Sequence, residues 1–177
     1  MLAVITFAAC TNSNDKMSTC KNDTWDKVFP LSEKVNHKKV SFQNQYGFTL
    51  VGDLYTPKAN DKVPSTKYAA IAVSGPFGAT KEQSSGLYAM KMAERGFVAL
   101  AFDPSFTGES SGEPRRTASP DINTEDFMAA VDYLSKLPEV DANRIGIIGI
   151  CGWVVLPSMR RQQIHASKRR WLPRCTT

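Results

Sequence analysis

The 177 residues predict an α/β fold, an antiparallel hairpin followed by a parallel β-α-β-α-β run. Three observations carry that prediction. Polar and apolar residues alternate on both sides of a short turn between 39 and 57, the pattern of a hairpin with one buried face. Three later runs are almost wholly apolar, as expected of strands covered on both faces. Two segments between them repeat apolar residues at helical spacing, so strand, helix, strand, helix and strand follow one another as right-handed crossovers require.

The chain opens on Met1 to Ala9, almost wholly apolar, and Phe7-Ala8-Ala9 leads into Cys10. Small residues just before a cysteine resemble the cleavage box of a bacterial lipoprotein signal, with Cys10 as the lipidated residue and 1–10 as a shortened signal. No Lys or Arg precedes the apolar run, which is also short for a signal core. An upstream start would supply both and send the protein to the periplasmic side of the cell envelope, attached to the membrane through Cys10; without it the expectation is cytoplasmic. A frayed apolar N-terminus is the plainer alternative. Residues 11–36 are polar and irregular and read as a linker, with His37 an exposed residue at its end.

The domain is expected over 37–153. Lys39 to Gln43 and Phe48 to Pro57 form the hairpin around Gln45-Tyr46-Gly47. Tyr68 to Ser74 is a buried strand. A helix begins at Ser84-Ser85-Gly86, carries Leu87, Met90 and Ala93 on one face, and stops at Gly96. Phe97 to Phe102 is the next buried strand, ending in Asp103-Pro104 and a Gly/Ser/Pro-rich loop to Pro120. Asn123 and Asp126 are candidate caps of a helix with Phe127, Ala130, Val131 and Leu134 on its apolar face. Pro138 ends it, and the strand Arg144 to Ile150 leads to Cys151-Gly152-Trp153.

That last junction carries the chemistry. A strand ending in a sharp turn can lift a nucleophile above the sheet, and the strained backbone there needs small neighbours. Gly149 and Gly152 provide them around Cys151, although Trp153 breaks the strict Gly-x-nucleophile-x-Gly pattern. The same residues also read as a buried strand with Cys151 as a small core side chain.

The order of parts resembles the α/β-hydrolase family, and the cysteine elbow is similar to its dienelactone-hydrolase-like branch. The hairpin, the Ser74-Gly75-Pro76-Phe77-Gly78 turn, the Asp103 to Ser110 loop and the Asn143-Arg144 lead-in carry that resemblance over about 38–153. It implies a hydrolase of small ester- or lactone-type substrates, extending to thioesters or peptides, with Cys151 as nucleophile. An oxyanion hole would come from the backbone N–H groups of Gly152 and Phe77, with Gly78 the other candidate on that turn. It implies no cofactor and no metal, and the four cysteines show neither metal spacing nor a disulfide framework. The family also requires a His and an acid after the elbow. His165 lies where the elbow helix belongs, so the base, the acid and the last strands have no counterpart.

Residues 154–177 hold six Lys/Arg and no acid, while the rest of the chain holds 16 basic and 17 acidic groups. The net charge of +5 therefore belongs to a tail that contains no nucleic-acid-binding module. With suitable codons, one added base turns 154–177 into a glycine-led, alanine-rich helix and a strand. The tail is thus expected to be out of frame and the chain to be an inactive N-terminal half. A non-catalytic, lipid-anchored envelope protein that uses the partial fold for binding is the alternative.

Overall fold

The computed structural model describes residues 25–58 and 67–154. Its sheet holds five strands: β1 (Val35–Gln43), β2 (Thr49–Pro57), β3 (Tyr68–Ser74), β4 (Val98–Phe102) and β5 (Val140–Gly149). Two helices cross between the parallel strands, α1 (Ser84–Ala93) and α2 (Pro120–Ser135). The strand order is β1-β2-β4-β3-β5. β1 and β2 are antiparallel, β2 meets β4 antiparallel, and β3 runs parallel to both β4 and β5.

Alternation along the strands sorts side chains onto two layers. Ala70, Ala72, Val98, Leu100 and Phe102 face α2 and pack on Phe127, Ala130 and Leu134. Val73, Tyr55, Ala99 and Ala101 face α1 and pack on Ala89, Met90 and Ala93. β4 is buried at all five positions, because it has a strand on each side and a helix on each face. β5 has only β3 beside it among the described residues, and from Ile145 to Gly149 none of its residues is buried.

The helix ends follow local chemistry. Gly96 takes φ +90, with its N–H on Ala93 O and the Phe97 N–H on Met92 O, a left-handed stop that glycine makes without strain. Leu87 departs from the expected α1 face: it is exposed, and Ser85, Gly86 and Ala89 join Met90 and Ala93 on the buried side. α2 begins earlier than expected, with Pro120 in its first turn. Asn123 therefore lies inside the helix and reaches back to accept the Ser119 N–H at 2.8 Å, while Asp126 turns inward to other partners.

The segment just before β1 differs most from the polar linker expected over 11–36. Phe29 and Lys27 are buried, the Trp25 indole donates to Phe29 O, and β1 starts at Val35. The segment docks because Lys27 finds a buried acid and Phe29 a place in the core. Lys27 Nζ lies 3.1 Å from Asp53 Oδ2 on β2, and His37 Nε2 lies 2.8 Å from Asp53 Oδ1. His37 is thus a half-buried partner of the sheet rather than an exposed linker residue. Burial opposes ionisation of Asp53, but His37 and Lys27 outweigh it and hold the carboxyl below the usual carboxylate value.

Candidate active site

Because β3, β4 and β5 are parallel, the segments that follow them gather at one edge of the sheet. β3 delivers Ser74 and the turn to Gly78, β4 delivers Asp103, and β5 delivers Cys151. The Ile150 N–H donates to Ser74 O at 3.2 Å and ties the first and third of these together.

Cys151 stands at φ +61 at the start of a short 3₁₀ turn, Cys151–Val154, and is exposed. A left-handed conformation is costly for a residue with a Cβ and persists only where its surroundings impose it. The alternative of Cys151 as a small core side chain does not match this exposure. Gly152 follows against the ring of Phe77, where a Cβ would overlap the ring carbons and push the half-exposed ring aside. The turn carrying Phe77 is closed by the Ala79 N–H on Pro76 O at 3.0 Å, with Gly78 at φ +78. Cys151, Gly152 and Phe77, separated by more than seventy residues of chain, thus meet at one place. Beside them lies a cavity of about 60 Å³ whose lining includes Phe77, Gly78, Pro104, Thr107, Arg116 and Asn123.

Two buried polar clusters beneath this edge escape sequence reasoning. In the first, Asp126 accepts from the Ser105 N–H, the Ser105 hydroxyl and Asn44 Nδ2, each at 2.8 Å, and from Asn123 Nδ2 at 3.0 Å. It joins the hairpin turn, the loop after β4 and α2. The second is built on Lys81 and Asp103, both fully buried. Lys81 Nζ lies 3.1 Å from Asp103 Oδ2 and 2.5 Å from both Glu82 Oε1 and Glu109 Oε2. Glu82, Asp103 and Glu109 are close enough together to hold a metal ion, but the Lys81 ammonium already bonds to all three. Their charges hold Lys81 protonated well above the ordinary lysine value despite its burial. Burial pushes the Asp103 carboxyl up, against the pull of Lys81 and two backbone N–H groups. The only sequence signal was an acid directly after a wholly apolar strand. Ser74 Oγ, also buried here, has no hydrogen-bond partner among the described residues.

His37 cannot reach Cys151. β1 and β5 form opposite edges of the five-stranded sheet, roughly 19 Å apart at the usual strand spacing. Cys10, His165 and the tail from 155 onward lie outside the described residues. Among the described residues no helix is long and apolar enough to cross a membrane.

No family model matches the chain. It is 63% identical over 151 residues to the uncharacterized protein PA2218 of Pseudomonas aeruginosa, covering 82% of this chain and 39% of that protein. The crystal structure of PA2218 superposes with a TM-score of 0.71 at 65% identity, over 76% of this chain and 41% of that one. The alpha/beta hydrolase GrgF of Penicillium sp. sh18 superposes with a TM-score of 0.58 at 28% identity, over 66% of this chain and 38% of that one. The chain is an α/β-hydrolase by fold. The thiohydrolase aneE of Aspergillus aculeatus is 32% identical over 119 residues, covering 67% of this chain and 35% of that protein. The α/β-hydrolase resemblance read from the residues therefore stands, and the chain spans about two fifths of these relatives' length.

Proposed function

We propose that this chain carries the nucleophile half of a hydrolase acting on small ester, lactone or thioester substrates, of the dienelactone-hydrolase-like kind. The observation that carries the reading is Cys151 in a left-handed backbone at the end of β5, with Gly152 and Phe77 beside it. The thiolate of Cys151 attacks the substrate carbonyl carbon, and the carbonyl π pair moves onto oxygen. The N–H groups of Gly152 and Phe77 receive that oxyanion, each such donor being worth about 3 kcal/mol. The alcohol or thiol leaves with a proton, and water then releases the acid from the acyl-cysteine. A His and an acid supplied after the elbow take and return the proton, since an unassisted cysteine is only a few per cent thiolate near neutrality. The likeness to a thiohydrolase supports the hydrolase reading. Nucleic acid is no part of this reading.

The test is turnover of a small activated ester by a longer, frame-restored protein that continues past Trp153. Cys151→Ala should abolish it; Cys151→Ser should keep a fraction, because a hydroxyl uses the same donors but ionises less readily. Turnover by the present chain that depended on both Cys151 and His165 would overturn the reading of the tail as out of frame. Unchanged turnover in Cys151→Ala would overturn the nucleophile. Independently of that reading, we propose that an upstream start would complete the signal and anchor the protein in the cell envelope through Cys10. In a version extended upstream, detergent partitioning should vanish in Cys10→Ala, and its persistence would remove the anchor.

A further inference from the structure

The Phe77 turn needs an anchor that its own residues supply only in part. Phe77 is 51% exposed, and the short bonds inside the turn fix its shape rather than its place on the sheet. The anchor lies just beyond it. Lys81 is the first fully buried residue after the turn, and it grips Asp103 twice: its backbone N–H donates to Oδ1 at 2.7 Å and its ammonium to Oδ2 at 3.1 Å. Asp103 directly follows β4, the strand buried at every position, so the grip runs from the turn to the most deeply buried strand of the sheet.

We propose that Lys81 and Asp103 are positioning residues for the oxyanion turn, holding Phe77 against Gly152 so that two backbone donors face one point. This rests on the hydrolase reading above and assigns to that site the part that sets its geometry. The three donors of the ammonium are used on Asp103, Glu82 and Glu109, so its orientation is fully specified. Asp103 is specified equally from the other side. Its Oδ2 takes the Glu109 N–H at 3.0 Å, and Gly108, at φ +54, has no Cβ because one would enter the carboxylate. Lys39 extends the chain of charges to β1 by meeting Glu109 at 2.9 Å. A buried ion pair is a weak source of net stability, since apolar side chains of similar volume often do as well. It supplies direction, and an oxyanion hole depends on direction: a displacement of about 1 Å in a positioning group can cost on the order of a hundredfold in rate.

The experiment reads geometry without needing turnover, so an inactive chain still gives an answer and loss of activity bears on the hydrolase reading alone. Gly152 turns its Cα toward the Phe77 ring, and its amide resonance in a ¹H–¹⁵N spectrum of the full chain reports where the ring sits. In Lys81→Met that resonance should move, and amide exchange across Ala79–Glu82 should quicken roughly tenfold or more, as for loss of the ammonium's charge-assisted hydrogen bonds. Exchange along β4 should stay as it was. Lys81→Arg should keep the Gly152 resonance in place, which a merely space-filling role would not distinguish from methionine. An unmoved Gly152 resonance in folded Lys81→Met overturns the proposal, as does equal loosening of β4. Should Lys81→Met fail to fold, Glu109→Gln decides: a smaller displacement in the same direction supports the proposal, and none overturns it.

Discussion

β4 and β5 are both parallel neighbours of β3, yet they sit in different environments. β4 has β2 on its other side and is buried throughout; β5 has no second strand among the described residues, and Ile145, Ile147 and Ile148 remain half-buried. The last part of β5, Ile145 to Ile148, carries no polar side chain either, so polarity is not the cause there. The difference is coverage. An apolar strand is stabilised only to the extent that something removes its faces from water, and isoleucines that a further strand would cover stand partly wet among the described residues. Cys151 therefore follows a strand half-covered among the described residues, while the Phe77 turn is anchored to the strand buried throughout.

Stability measurements can sharpen that contrast. Leu134 is fully buried where α2 meets the sheet, so Leu134→Ala should cost about 2–5 kcal/mol in urea unfolding. A loss under about 1 kcal/mol would mean that the interior of the sheet is no better packed than its β5 side.

Acid should weaken the opposite edge next. The Asp53 carboxyl lies below its ordinary value in the folded chain, so its contribution is present above the unfolded value of about 3.9 and is lost as pH falls through the lower, folded value. The urea midpoint should thus fall more steeply below about pH 4 in the native chain than in Asp53→Asn. Parallel profiles would show that the Lys27–Asp53–His37 cluster does not hold the segment before β1.

The smallest effect is expected on β5. Ile147→Ala removes a side chain that is already half in water and should cost about 1 kcal/mol. A cost matching that of Leu134→Ala would show that β5 is covered in solution, and the contrast with β4 would fail.

The order of elements was legible because it rests on local pattern. Alternation marks β1 and β2, unbroken apolar runs mark β3 and β4, and Gly96 stops α1 as a left-handed glycine should. The sharp turn after β5 was legible for the same reason: small residues around Cys151 anticipate the left-handed backbone found there. Leu87 and the start of α2 were misread where a single side chain had to choose between two faces. His37 was misread because its partner, Asp53, lies across the hairpin, and a charge seen in isolation looks like a solvated one.

What only the tertiary structure decided is which distant groups meet. Cys151 could be named from its neighbours in the chain, but the seat of Phe77 on Gly152 depends on β3 and β5 lying side by side. The burial of Lys81 and Asp103 depends on β4 running between β2 and β3, so that the loop after one strand closes over the loop after another. Periodicity reports what a residue's near neighbours need, and it is silent on long-range pairs. A buried charge is tolerated only when a long-range partner arrives, so it is the fold that turns an apparently exposed lysine and aspartate into the support of the site.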